Sequence, residues 1–178
     1  DGDELAEDFS GTVTLSTGTT SGQLQGTLQA AAVAGIARFD DVIYTAAVDG
    51  QPFTLRAASS PLRGGDAGLI ADVDATRLTV RAAPNPVYVG QTWVPALTVA
   101  AVDAAGVVDR DFAEVVTVGL TQGAGSLAGE LSRSATLGQV EFPLVYQTTA
   151  AEGQITVAAD DQAAVGSDLA PVSQQLVV

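Results

Sequence analysis

The chain repeats itself, and that constrains its fold more than any single motif. Displaced by 103 positions, Asp8-Phe9 falls on Asp111-Phe112 and Val13-Thr14 falls on Val116-Thr117. Gly22, Leu24, Gly26 and Leu28 fall on Gly125, Leu127, Gly129 and Leu131. Gly35 and Phe39 fall on Gly138 and Phe142, and Val42, Thr45, Ala47, Gly50 and Gln51 fall on Val145, Thr148, Ala150, Gly153 and Gln154. On this alignment no gap interrupts Asp8 to Gln51. The matched types are glycines and alternating apolar residues, which set turns and inward faces.

The repeat fixes an expected frame. Residue 1 corresponds to Ala104, so residues 1–74 read as a partial copy without the counterpart of residues 75–103. Residues 75–178 read as a complete copy. The closing Gln-Leu-Val-Val (175–178) is similar to Arg-Leu-Thr-Val (77–80). The segment Val172–Val178 is therefore expected either to open a further repeat or to act as a donor strand. The chain opens without an initiator Met or a basic-then-apolar leader, so it is expected to be part of something longer or a mature chain.

Strand signals dominate. Leu78 and Val80 alternate with Arg77 and Thr79; Leu97 and Val99 with Thr98 and Ala100; Val116 and Val118 with Val115 and Thr117. Val140–Phe142, Ile155–Ala159, Val13–Leu15, Ala37–Phe39 and Phe53–Ala57 continue the period of two, the mark of half-buried antiparallel strands. Gly18–Gly22, Pro61–Gly65, Pro84–Pro86 and Gly123–Gly125 punctuate them. The Ala runs at 30–34 and 100–105 are short and uncapped, and lie inside the strand pattern, so no helix is expected there. About seven strands per roughly 100 residues predicts an all-β chain of tandem immunoglobulin-like sandwiches, the first incomplete at its N-terminus. Trp93, before a strand, reads as a local plug. Pro84, Pro86 and Pro95 suit an edge strand that switches sheets. Phe9 and Phe112, each after an Asp, and the pair Phe39 and Phe142 read as core.

The order Pro-Asn-Pro (84–86), Leu-Thr-Val-Ala-Ala-Val-Asp (97–103), Val-Asp-Arg-Asp-Phe (108–112), Gly-Gln-Val-Glu-Phe (138–142) and Gly-Gln-Ile-Thr-Val (153–157) resembles the tandem bacterial Ig-like repeats of large surface proteins, invasin and intimin stalks included. The resemblance implies an extracellular or cell-surface setting and a non-enzymatic role as stalk, filament or surface-layer building block. The alternative is an adhesive module that holds a glycan or receptor through loops such as 104–111 and 121–126. The expected partners are neighbouring repeats or identical subunits, and the strands that copy one lacks are expected either upstream in a longer chain or from another chain by strand complementation.

Composition narrows the chemistry. The chain holds 21 Asp and Glu against 7 Arg and no Lys, a net charge of −14, which disfavours nucleic acid and anionic membranes as partners. Without His or Cys it has neither a Ser–His–Asp nor a Cys–His centre, nor imidazole or thiolate for a metal. No apolar stretch is long enough to predict a membrane span. Aromatics at 5% leave little to line a sugar cleft, so no enzyme is expected. Acidic loops remain. Asp72 and Asp74 lie between the copies, Asp103, Asp109 and Asp111 share one loop, and Asp160, Asp161 and Asp168 lie near the end of copy two. Clustered carboxylates suit Ca²⁺, and ions that stiffen the joints of such arrays follow from the resemblance. Asp72, Asp74, Asp103, Asp109 and Asp111 are the expected ligands, with Ca²⁺ the only cofactor. No EF-hand spacing is present.

Overall fold

The computed structural model describes residues 5–18, 21–161 and 168–178. The described residues form fifteen strands and no helix, joined in antiparallel sheets. The chain divides into two compact units, Asp1–Asp72 and Val73–Val178.

The second unit is a sandwich. One sheet runs β11 (Ser132–Ser134), β9 (Val115–Gln122), β14 (Gln154–Asp161), β15 (Val172–Val177). The other runs β12 (Gln139–Phe142), β8 (Leu97–Val102), β7 (Arg77–Ala82), accompanied by the pair β10 (Ser126–Ala128) and β13 (Val145–Gln147). Alternation delivers Val116, Val118, Ile155, Val157 and Leu176 from the first sheet and Leu78, Val99, Val140 and Phe142 from the second into one buried cluster. Trp93 belongs to that cluster and is only 3% exposed, so it is a core residue and not a local plug. Beyond β7 the chain crosses to the opposite sheet, where the Val87 N–H donates to Val177 at 2.7 Å. The prolines lie in that crossing, where no ladder needs their missing donors.

The segment expected as a donor strand or the start of another repeat is β15 here. It pairs with β14 of its own unit from Val172↔Ala159 to Val177↔Gln154, and Leu176 sits in that unit's core.

The first unit holds a sheet β3 (Gln29–Ala31), β1 (Thr12–Thr17), β5 (Gln51–Ala58), β6 (Gly65–Ala71) and the pair β2 (Gln23–Gln25) and β4 (Ile43–Thr45). The repeat is visible in the ladders. β1, β2 and β3 pair as β9, β10 and β11 do, displaced by the expected 103 positions. Beyond Phe39 the displacement changes. Leu24 pairs with Tyr44, whereas Leu127 pairs with Tyr146. Leu15 pairs with Ala57, whereas Val118 pairs with Ala159. Copy one therefore carries one more residue between Phe39 and Tyr44 than copy two does between Phe142 and Tyr146, and the gap-free alignment fails from that point. A one-residue slip would turn every β5 side chain to the wrong face. The equivalents of Ile155, Val157 and Ala159 are accordingly Phe53, Leu55 and Ala57.

Ala37–Phe39 is no strand. Its counterpart β12 exists by bonding to β8, from Gln139↔Ala100 to Phe142↔Leu97. The first unit has no equivalent of β8 among its described residues, so this segment has no ladder to join.

Candidate functional site

Three features carry chemistry beyond packing, and the first is the acidic loop of the second unit. Asp109 is buried at 7% exposure. Its Oδ2 accepts the Ala75 N–H at 2.9 Å, and its Oδ1 accepts the Phe112 N–H at 3.0 Å. A Cβ on Gly138, whose φ is +74°, would lie 2.0 Å from the Asp109 carbonyl oxygen. Asp109 thus staples the start of its unit to the loop, with both oxygens committed to backbone donors. Asp103 Oδ1 accepts the Val107 N–H at 2.8 Å and closes a turn. Asp111 is exposed, with a carboxylate oxygen within 4.8 Å of one on Asp109. Asp72 and Asp74 are exposed, and neither they nor Asp103 joins an acidic cluster among the described residues. Of the five expected Ca²⁺ ligands, only Asp109 and Asp111 are brought together in this way.

The second feature lies at the end of β14. Asp160, Asp161 and Asp168 bring carboxylate oxygens within 4.8 Å of one another. Asp161 is 4% exposed; its Oδ1 accepts the Leu169 N–H at 3.1 Å. Its Oδ2 is buried with no hydrogen-bond partner among the described residues. Burial pushes the Asp161 carboxyl above the ordinary range, and the charges of Asp168 and Asp160 add to that.

The third feature is the inner face of the first unit's sheet. Val116, Val118, Ile155, Val157 and Ala159 are at most 2% exposed in the second unit. Of their equivalents, Val13, Phe53, Leu55 and Ala57 are only half-buried, and Leu15 alone reaches the buried class. Phe142 is completely buried, whereas Phe39 is half-buried. A groove of about 270 Å³ opens on this unit, lined by Phe9, Val13, Ala57 and Leu62 among others. Phe9, expected in a core, is only partly buried there. Its counterpart Phe112 is also only partly buried, but packs on the second unit's core.

No family model matches the chain, and no curated protein matches it. Solved structures do overlap with it. The β-glucuronidase of Parabacteroides merdae with glycerol in its active site overlaps at TM-score 0.44 and 15% identity, over 95% of this chain and 21% of that one. A second structure of that enzyme gives TM-score 0.41 and 16% identity over the same shares. Bacteroides uniformis β-glucuronidase 3 gives 0.43 and 12%, again over 95% and 21%. The chain thus spans about a fifth of those enzymes. Overlaps of this quality bear on neither activity nor substrate.

A tyrosine escaped sequence reading altogether. Tyr146 is fully buried; its hydroxyl donates to Glu152 and accepts the Gly125 N–H at 3.1 Å. Burial, then the Glu152 contact, raises its phenol above the ordinary value. Gly22 lies against Tyr44 as Gly125 lies against Tyr146, since a Cβ on either glycine would strike the ring. Tyr44 also stacks on Phe53 with ring centroids 3.8 Å apart. The recurring Gly and Tyr are the available signal, hidden by the slip between Phe39 and Tyr44.

Proposed function

We propose that this chain is a non-enzymatic structural segment of an extracellular surface protein, a building block of tandem Ig-like repeats. One observation carries the reading: of five inward positions sealed in the second unit, four are only half-buried in the first. A module that recurs along a chain, with a half-covered face in one copy, suits assembly with its own kind better than it suits solution chemistry. The resemblance to bacterial Ig-like repeats supports the surface setting.

On this reading the open face is completed by a strand pair of the β7–β8 type, supplied by a neighbouring repeat or an identical subunit. The segment Val172–Val178 pairs as β15 within its own unit here, so on this reading the completing strands come from elsewhere. The test places a copy of residues 75–102 ahead of residue 1. Amide exchange at Val13 and Leu55 should slow by at least about tenfold, as a half-covered face becomes a core. Light scattering and electron microscopy then separate the two sources. Concentration-dependent polymers of the parent chain, abolished by the added pair, indicate identical subunits; a monomer whose exchange slows indicates a neighbouring repeat. Unchanged exchange with the pair present would sink the proposal.

A further inference from the structure

The geometry points to a Ca²⁺-type divalent cation site in the second unit, formed by Asp160, Asp161 and Asp168. This stands apart from the structural role proposed above and from the acidic loop around Asp109. Two independent observations meet here. The first is spacing. Oxygens that share a Ca²⁺ at about 2.3–2.6 Å lie at most roughly 5 Å apart. The three carboxylates meet that bound, with oxygens within 4.8 Å of one another.

The second is the orphan oxygen. A buried carboxylate oxygen normally has a partner, because leaving one unmade is costly. Asp161 Oδ2 has none among the described residues, while Oδ1 is held by Leu169. The unused oxygen belongs to the buried member of the acidic cluster, whose other members, Asp160 and Asp168, are exposed. Three carboxylates this close repel when ionised, and a cation among them would relieve that repulsion.

The fold itself does not require the acid. The position equivalent to Asp161 in the first unit is Ser59, whose hydroxyl donates to the Thr12 carbonyl at 2.6 Å. An oxygen-only site in a chain without His or Cys selects a hard cation. Three carboxylates favour Ca²⁺ over Mg²⁺, which keeps most of its water and takes one or two carboxylates. Water completes the shell.

The test is calorimetric titration of the full chain with CaCl₂ after chelator treatment, with MgCl₂ in parallel. One Ca²⁺ should bind with Kd about 10⁻⁴–10⁻³ M or tighter, and Mg²⁺ more weakly. Ca²⁺ should also raise the denaturation midpoint followed by Trp93 fluorescence. D161N should abolish both responses, and in chelator it should be at least as stable as the parent, because the uncompensated charge is gone. D168N, an exposed change that leaves the core untouched, should weaken binding by about tenfold or more. The pair D72N/D74N should leave binding intact. No saturable heat, or full binding by D161N and D168N, overturns the assignment, as does loss of binding in D72N/D74N with D161N intact.

Discussion

Asp109 Oδ2 accepts the Ala75 N–H at 2.9 Å across 34 residues of sequence, in a buried setting. The other oxygen of the same carboxylate takes the Phe112 N–H. One side chain therefore ties the entry of the second unit to the loop that precedes β9. Gly138 makes room for it, since any Cβ there would meet the Asp109 carbonyl.

Replacing Asp109 by Ala leaves two backbone donors without their acceptor. The expected cost is roughly 2–5 kcal/mol, and Asp109→Asn, which keeps one acceptor, should cost about half as much. Urea denaturation followed by Trp93 fluorescence measures it cleanly, because the only Trp of the chain lies in the second unit's core. A D109A midpoint equal to that of the parent would remove Asp109 from its role as a staple.

The two copies offer a matched pair of core deletions. Phe142→Ala should cost roughly 3–5 kcal/mol, as expected for a fully enclosed ring. Phe39→Ala should cost less than half of that, because its ring already meets solvent. Amide exchange, which reads the two units separately, is the measurement. Equal losses would mean that the first unit's face is covered in solution.

Asp41 should give the first unit a distinctive acid response. Its carboxylate accepts the Thr27 hydroxyl at 2.8 Å and the Thr27 N–H at 3.1 Å, and these bonds hold its pKa below the ordinary value. A lowered folded pKa means stability that is present above the unfolded carboxylate value and is lost as pH falls through the folded one. Protection of the Thr27 amide, measured against the intrinsic exchange rate at each pH, should therefore fall at acid pH in the parent, whereas D41N should be poorly protected throughout. A parent and variant with identical pH profiles would contradict this account.

Much of the fold was legible because period-two patterning is a local signal. The alternation of Val116, Val118, Ile155 and Val157 marks both strand and inward face, and the short uncapped Ala runs form no helix. Ala37–Phe39 misled because its strand state depends on a partner far away in sequence, not on its own alternation. The slip before Tyr44 was illegible for a related reason. Gly50-Gln51 and Gly153-Gln154 match by composition, but only hydrogen-bond register shows which residues face inward. The acidic residues were legible as clusters and not as chemistry. Nothing local distinguishes Asp109, with both oxygens engaged, from Asp161, with one oxygen unclaimed.

The extra residue between Phe39 and Tyr44 also governs how such copies can exchange sequence. A crossover upstream of it joins the two copies in step, because β1–β3 and β9–β11 share one displacement. A crossover downstream, guided by the look-alike Gly-Gln pairs, would splice the strands one residue out of phase and turn Phe53 and Leu55 toward water. The better sequence match is then the worse recombination point. A copy spliced there would misfold, with the apolar side chains of one strand facing water.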